Sequence, residues 1–315
     1  MKFDESFFEN EERDGFYIRQ IMKRCWAAEL EVVEEISRIC RIHKIKWYAG
    51  GGTILGTIRH HGFIPWDDDL DLQMPRKEYE RFVYYARRDL PKGWYIANER
   101  GSSDQSQPFI CIMNSRQGIC LDEGFLKRFH GCPYAVGIDI GPVDAVPDDE
   151  EEREIYKILV GSAIDIGQRA KTGAMLNECA PDIVEEANDL MEVTGKDFVA
   201  DKPIVPQAYE LADQLAAMYN DLDTDYYTVA AYYHSKPELL FPKEAYESTI
   251  YMPFENTKLP LMSGYDSLLK AYYGDDYMIP QKWTAYHDYP FFKRAEQSLR
   301  QIFSEQGKEF PKEFE

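Results

Sequence analysis

The sequence predicts a mixed α/β (α+β) fold with a helical C-terminal region. Three observations carry this. Amphipathic helical patterns alternate with short apolar runs of strand length as far as about residue 147. A run of three glycines, Gly50 to Gly52, joins one strand-like run to a short helical pattern. From residue 148 to about 220 the pattern turns mostly helical. The expected layout is an α/β module with an N-terminal helix over 1–147. A mostly helical region follows over 148–315, and its C-terminal part packs back on the module.

Each element has its own reason. Within 16–44, Leu30, Val33, Ile36 and Cys40 recur at helical spacing, and Glu31, Glu34, Glu35 and Arg38 fill the opposite face. Ile45 to Ala49 is a short run ending at the glycines, which reads as a strand entering a turn. Thr53 to Arg59 is long enough for two helical turns, with Thr53 as N-cap. Gly62 and Pro65 mark a loop. Asp69 to Leu72 alternates polar and apolar, a strand signature that Pro75 stops. Lys77 to Arg88 reads as a helix through Tyr79, Phe82, Val83 and Ala86. Short runs at Trp94–Ile96, Phe109–Ile112 and Val136–Ile140 predict strands. The acidic run from Asp148 to Glu152 opens a helix, where carboxylates suit the positive end of the dipole. Residues 239–315 mix short elements with aromatic-rich segments.

Composition narrows the function. The chain has 315 residues, 36 Lys and Arg against 56 Asp and Glu, and a net charge of −20. A surface this acidic repels phosphate backbones, which argues against nucleic-acid binding. An anionic substrate then needs a bound cation or a local basic pocket. No apolar stretch reaches the length of a membrane span, and the acidic start has no apolar core of a signal peptide. The six cysteines are widely spaced and read as reduced thiols. These features predict a cytoplasmic protein. Zinc spacings, the P-loop, the dinucleotide-binding glycine pattern and the Gly-x-Ser-x-Gly elbow are all absent.

The informative stretch runs from Gly50 to Leu72. It places Asp67, Asp68, Asp69 and Asp71 within five positions. On a strand, Asp69 and Asp71 point the same way, and Leu70 and Leu72 face the core. Two carboxylates fixed side by side repel, and a hard cation relieves the repulsion; Mg²⁺ suits such oxygen ligands and substrate phosphates. The turn at Gly51, Gly52 and Thr53 exposes backbone N–H groups at a helix N-terminus, a ready anion site. Arg59 and Arg76 are candidate clamps for further phosphate oxygens. Asp139, flanked by Ile138 and Ile140, supplies a third strand carboxylate for phosphoryl or nucleotidyl transfer. Trp66 beside the acids is a candidate for stacking on a base or covering an ammonium, against a plain core role. His60, His61 and His287 read as surface, packing or capping residues. Tyr226, Tyr227, Tyr232, Tyr233, Tyr272 and Tyr273 read as helix packing, with a ligand platform as the minority reading.

The glycine turn followed by Asp-x-Asp and a remote strand acid resembles the signature of the nucleotidyltransferase (polymerase-beta-like) fold. Gly62-Phe63-Ile64-Pro65-Trp66-Asp67-Asp68-Asp69-Leu70-Asp71, with the trailing Met74-Pro75-Arg76, closely resembles the LicD family, which is related to the fukutin-type transferases. Asp139 to Pro147, Phe254-Glu255, Gly264-Tyr265-Asp266 and Tyr272 to Pro280 resemble its later motifs. The resemblance implies a nucleotidyltransferase fold with Asp69, Asp71 and Asp139 as metal ligands and catalytic acids. Gly51, Gly52 and Thr53 become the phosphate-cradling turn. The implied cofactor is Mg²⁺, or Mn²⁺ in its place. The implied reaction is transfer of a phospho-alcohol, foremost phosphocholine, from a CDP-alcohol donor to a sugar hydroxyl of a glycan acceptor such as lipopolysaccharide or teichoic acid. CMP leaves, and taking up the acceptor's proton is a second role for Asp139. Ethanolamine, ribitol and glycerol stay open as the alcohol. Two rivals stay open as well: a nucleotidyltransferase that uses an NTP and releases pyrophosphate, and a non-catalytic phosphate- or sugar-binding scaffold. The expected location is cytoplasmic, at the inner membrane face through peripheral association, and the oligomeric state is unassigned.

Overall fold

The computed structural model describes residues 1–103, 105–282 and 289–315. His287 therefore lies outside the described residues. The chain opens with a hairpin of β1 (Glu11–Arg13) and β2 (Phe16–Ile18). Its turn is Asp14-Gly15, with both residues at positive φ, the backbone that favours an Asp-Gly hairpin. This hairpin takes the first residues of the expected 16–44 helix, so α1 spans Gln20–His43. Then come β3 (Tyr48–Ala49), α2 (Gly51–Arg59), β4 (Asp71–Pro75), α3 (Arg76–Asp89), β5 (Tyr95–Ala97), β6 (Ile110–Met113), α4 (Glu123–Arg128) and β7 (Gly137–Val146). The strand is shifted from the expected Asp69 to Leu72 pattern: Asp69 precedes it, Asp71 is its first residue and it runs to Pro75.

The sheet runs β3-β4-β7-β6-β5. β4 and β7 pair in parallel, and the other neighbours are antiparallel, so the sheet is mixed. Strand β7 is ten residues long and serves two ladders. Its first half lies between β4 and β6. Its second half pairs with β8 (Tyr226–Thr228), which pairs in turn with β9 (Phe241–Pro242).

Between β7 and β8 lie α5 (Glu150–Arg169), α6 (Pro181–Thr194) and α7 (Ile204–Ala216). Asp149 caps α5 by accepting from the Glu152 N–H, and three glutamates fill the first turn. These helices share a core of their own, built on residues such as Val160, Ile164, Ala208 and Leu211. The larger core joins α1, the sheet and the end of the chain. It includes Trp26, Ile36, Leu72, Ile138 and Ile140, and also Phe254, Leu261, Leu269, Leu299 and Phe314. The late part comprises α8 (Ala230–Tyr233), a hairpin of β10 (Thr249–Phe254) and β11 (Thr257–Met262), α9 (Tyr265–Tyr273) and α10 (Lys293–Glu305). No helix among the described residues is long and apolar enough to cross a membrane. All six cysteines are free.

A buried ion network ties the helical layer to the sheet. Arg76, at the start of α3, sends Nε and Nη2 to the two oxygens of Asp144 on β7 at 2.6 and 2.8 Å. Its Nη1 reaches Asp213 on α7 at 2.5 Å. Arg100 completes Asp213 at 2.7 Å, and Asn220 donates to Asp144 at 2.7 Å. This corrects the expectation that Arg76 clamps phosphate oxygens: its guanidinium is buried and committed to two carboxylates.

Breaking such a network strands buried charge. Arg76→Met is expected to lower unfolding free energy by about 3–5 kcal/mol. Combining it with Asp144→Asn should restore part of the loss, because the second change removes the orphaned carboxylate. Urea unfolding of the two single variants and the double variant checks both statements.

Candidate functional site

One cleft gathers the chemistry. Its floor is the crossing of α2, β4 and β7. Asp71 and Asp139 lie directly opposite each other in the parallel ladder, and both line the cleft with Asp69 and Asp67. Leu70 and Leu72 are both buried, and Leu72 also lines the cleft. They fix the backbone that carries the acids, as the alternation predicted. Asp67, Asp68 and Asp69 each offer a carboxylate oxygen within 4.8 Å of one another. Two members of this loop group, Asp67 and Asp69, line the cleft together with Asp71 and Asp139 from the sheet.

The glycine turn is built around these acids. Gly50 N–H donates to the Asp71 carbonyl at 2.8 Å. Asp71 N–H donates to the Thr53 hydroxyl at 2.8 Å. Thr53 is therefore not the helix cap; Gly50 holds that position, and the Thr53 side chain staples α2 to the acidic strand. A Cβ at Gly51 would lie 3.2 Å from Asp71 Oδ2, and one at Gly52 only 3.0 Å from Asp67 Oδ2. Glycine lets the carboxylates approach the first turn of α2. The N–H groups there have no carbonyl partner within the helix.

Crowding and burial act on the acids together. Burial, then the neighbouring charges of Asp69 and Asp139, hold the Asp71 carboxyl well above the usual range. Asp67 is raised by burial and by Asp69 and Asp68. Asp139 is pushed up to about 6, mainly by burial, while its bond from the Cys111 thiol pulls the other way. Glu29 joins the group from α1. It is buried, its Oε2 has no hydrogen-bond partner, and burial with the charges of Asp69 and Asp68 raises its carboxyl strongly. The donor set is all carboxylate oxygen, which fits a hard divalent cation rather than zinc.

The remaining walls are aromatic. Trp66 and Phe109 line one part, and Tyr232, Tyr272 and Tyr273 come from the late segments. Trp66 is 7% exposed and its Nε1 is buried without a partner, so it is both a packed residue and a cleft residue. Lys236 also lines the cleft.

Other expected residues sit elsewhere. Arg59 is not among the cleft-lining residues: it donates to His60 and to the Tyr277 carbonyl. Arg76 lies in the buried network described above. His60 is held down to about 4 by burial and by Arg59.

Sequence reasoning missed Glu29, Lys236 and the weight of the tyrosines. Glu29 had a signal: it stands four residues after Cys25 and seven before Ile36, on the buried stripe of α1. The tyrosines and Lys236 reach the cleft only through tertiary folding.

Comparisons with known proteins find sequence relatives of this chain. Residues 44–116 match the family model described as LicD/FKTN/FKRP, nucleotidyltransferase domain. That span holds α2, the acidic loop and β4. The chain is 26% identical over 261 residues to the lipopolysaccharide cholinephosphotransferase LicD of Haemophilus influenzae, covering 80% of this chain and 89% of the relative. Uncharacterized proteins of Rickettsia typhi and Rickettsia prowazekii are each 27% identical over 70 residues, covering 22% of this chain and 23% and 26% of theirs.

The raised Asp139 carboxyl has a direct consequence for stability. In metal-free protein the folded state holds this proton to about pH 6, whereas an unfolded Asp releases it near pH 4. The contribution of Asp139 to stability therefore falls as pH rises between those values and is constant above them. Asp139→Asn removes the effect. With EDTA present, the variant is expected to exceed the wild type by roughly 1–3 kcal/mol at pH 7, and the gap should close below pH 4. Denaturant titrations across pH 3.5–8 measure it.

Proposed function

We propose, from the premise that this chain is a LicD-family phosphotransferase, that it transfers phosphocholine from a CDP-linked donor to a sugar hydroxyl of a cell-surface glycan. The observation that carries the proposal is the pairing of Asp71 with Asp139 across parallel strands, beside the open N-terminus of α2 and facing an aromatic wall. The floor suits a nucleotidyltransferase-type fold and a phosphate-bearing donor. The wall suits a quaternary ammonium: Trp66, Phe109, Tyr232 and Tyr273 line it, and cation–π attraction at a desolvated site contributes about 2 kcal/mol. This favours choline over ribitol or glycerol, which carry no cation. The Haemophilus relative, named for cholinephosphate transfer to lipopolysaccharide, supports the same choice.

The division of labour follows from placement. Asp69, Asp71 and Asp139, with Asp67 adjoining, would hold Mg²⁺, or Mn²⁺ in its place, which supplies charge neutralisation at the phosphates. The first-turn N–H groups at Gly51, Gly52 and Thr53 donate to phosphate oxygens. The aromatic wall orients the alcohol and excludes water. The acceptor hydroxyl oxygen forms a bond to the phosphorus that carries choline. The bond from that phosphorus to the oxygen of CMP breaks, and CMP leaves with the bridging oxygen. The acceptor proton passes to Asp139.

Calorimetry with CDP-choline, CDP-ethanolamine, CDP-ribitol, CDP-glycerol, CTP and ATP tests the donor, each with and without Mg²⁺. Metal-dependent preference for CDP-choline is expected. Preference for an NTP, with pyrophosphate rather than CMP as product, overturns the proposal in favour of nucleotidyl transfer. Asp71→Asn should cut turnover by roughly a hundred- to a thousandfold, on the order of the loss when a preorganised charge-stabilising group is removed, with the circular-dichroism spectrum unchanged.

A further inference from the structure

We infer that Lys236 is the phosphate-binding cation of the cleft and holds a donor phosphate oxygen opposite the carboxylates. The inference rests on the proposed use of a phosphate-bearing donor, and it assigns that site a residue which neither the family resemblance nor the motif spacing provides. Among the described lining residues, four are carboxylates, Asp67, Asp69, Asp71 and Asp139, and Lys236 is the single basic side chain. Of the two arginines expected for this work, Arg76 is engaged with Asp144 and Asp213, and Arg59, which bonds His60 and the Tyr277 carbonyl and keeps a buried Nη2 without a partner, does not line the cleft. An anionic donor entering a chain of net charge −20 meets repulsion from nearly every side.

The placement of Lys236 suits the task. Its backbone N–H donates to the Tyr232 carbonyl at 2.9 Å, which fixes the turn after α8. Its Nζ lies 6.0 Å from the centre of the Tyr272 ring, another cleft residue. Among the described residues it makes no ion pair, although four carboxylates share the cleft with it. An ammonium on a flexible stem, half-buried and without a carboxylate partner, is available to an incoming phosphate oxygen. The chain thus supplies one positive charge of its own in a cleft whose other charged lining residues are carboxylates.

The test is calorimetric titration of wild type, Lys236→Gln and Lys236→Arg with cytidine, CMP and CDP in Mg²⁺ buffer. Lys236→Gln is expected to weaken CDP at least tenfold, about 1.4 kcal/mol, and to leave cytidine unchanged. Lys236→Arg should keep most of the CDP affinity. Unchanged CDP affinity in Lys236→Gln overturns the inference, and so does an equal loss for cytidine and CDP. If the wild type binds none of the three, the nucleotide-donor reading itself fails. Inorganic pyrophosphate then decides the lysine separately: a tenfold loss in Lys236→Gln sustains it, and equal affinity or no binding overturns it.

Discussion

The structure depends on a repulsion. Parallel pairing of β4 with β7 sets Asp71 opposite Asp139, and the loop before β4 adds Asp67 and Asp69 to the same cleft. Nothing in the hydrophobic effect favours this arrangement. It persists because the surrounding backbone leaves the acids no alternative. Leu70, Leu72, Ile138 and Ile140 are buried beside them, so a shift in register would turn apolar side chains toward water. Thr53 and Gly50 bond the backbone of Asp71 from the front. The hairpin β10–β11 holds the loop from behind: Glu255 at its tip accepts from Phe63 N–H and Arg13, and its own N–H donates to the His61 carbonyl. Gly62 is glycine because a Cβ there would overlap the Glu255 carboxylate.

A second constraint makes the cleft a joint product of two cores. Strand β7 carries Asp139 in its first half and Asp144 in its second. The first half faces the cleft chemistry, and the second anchors the helical layer through Arg76 and Asp213. Strand β8 pairs with that second half and leads directly into α8, which brings Tyr232, and then Lys236, to the cleft. One strand therefore sets the spacing between the acids and the residues that face them. Arg76 follows Pro75 at the end of β4, so the residue that pins the helical layer is five positions from Asp71.

Much of this was legible in the sequence, and the reasons divide by distance. The alternation at Leu70-Asp71-Leu72 and the glycine turn are local patterns, and they located the floor of the cleft. Asp139 was legible because a lone acid between isoleucines in a strand-like run is costly without a purpose. The N-terminal hairpin was written in Asp14-Gly15 but was overshadowed by the helical pattern that follows. The second hairpin had no such dipeptide: Glu255 adopts positive φ there, held by the contacts of its carboxylate. Arg76 misled because a guanidinium next to an acidic motif suits phosphate and buried Asp equally well. Its partners are 68 and 137 residues away, beyond any local pattern. Lys236 and the tyrosines carry no periodic signal, and only tertiary folding places them.

The same distances bear on why the cleft is costly when empty. The raised carboxyls of Asp67, Asp71, Asp139 and Glu29 all mark groups whose charged form the fold disfavours. A purely structural core would replace such acids with apolar residues at little loss or some gain. Their placement makes sense if the missing stabilisation arrives with ligands, because anything that binds the folded state alone raises stability by mass action. A cation among the carboxylates and an anion at the start of α2 relieve opposite halves of one problem. Each also lowers the barrier for the other, since a phosphate cannot approach four carboxylates until positive charge stands between them. Under the proposed function, binding of metal and donor would be coupled by that electrostatics.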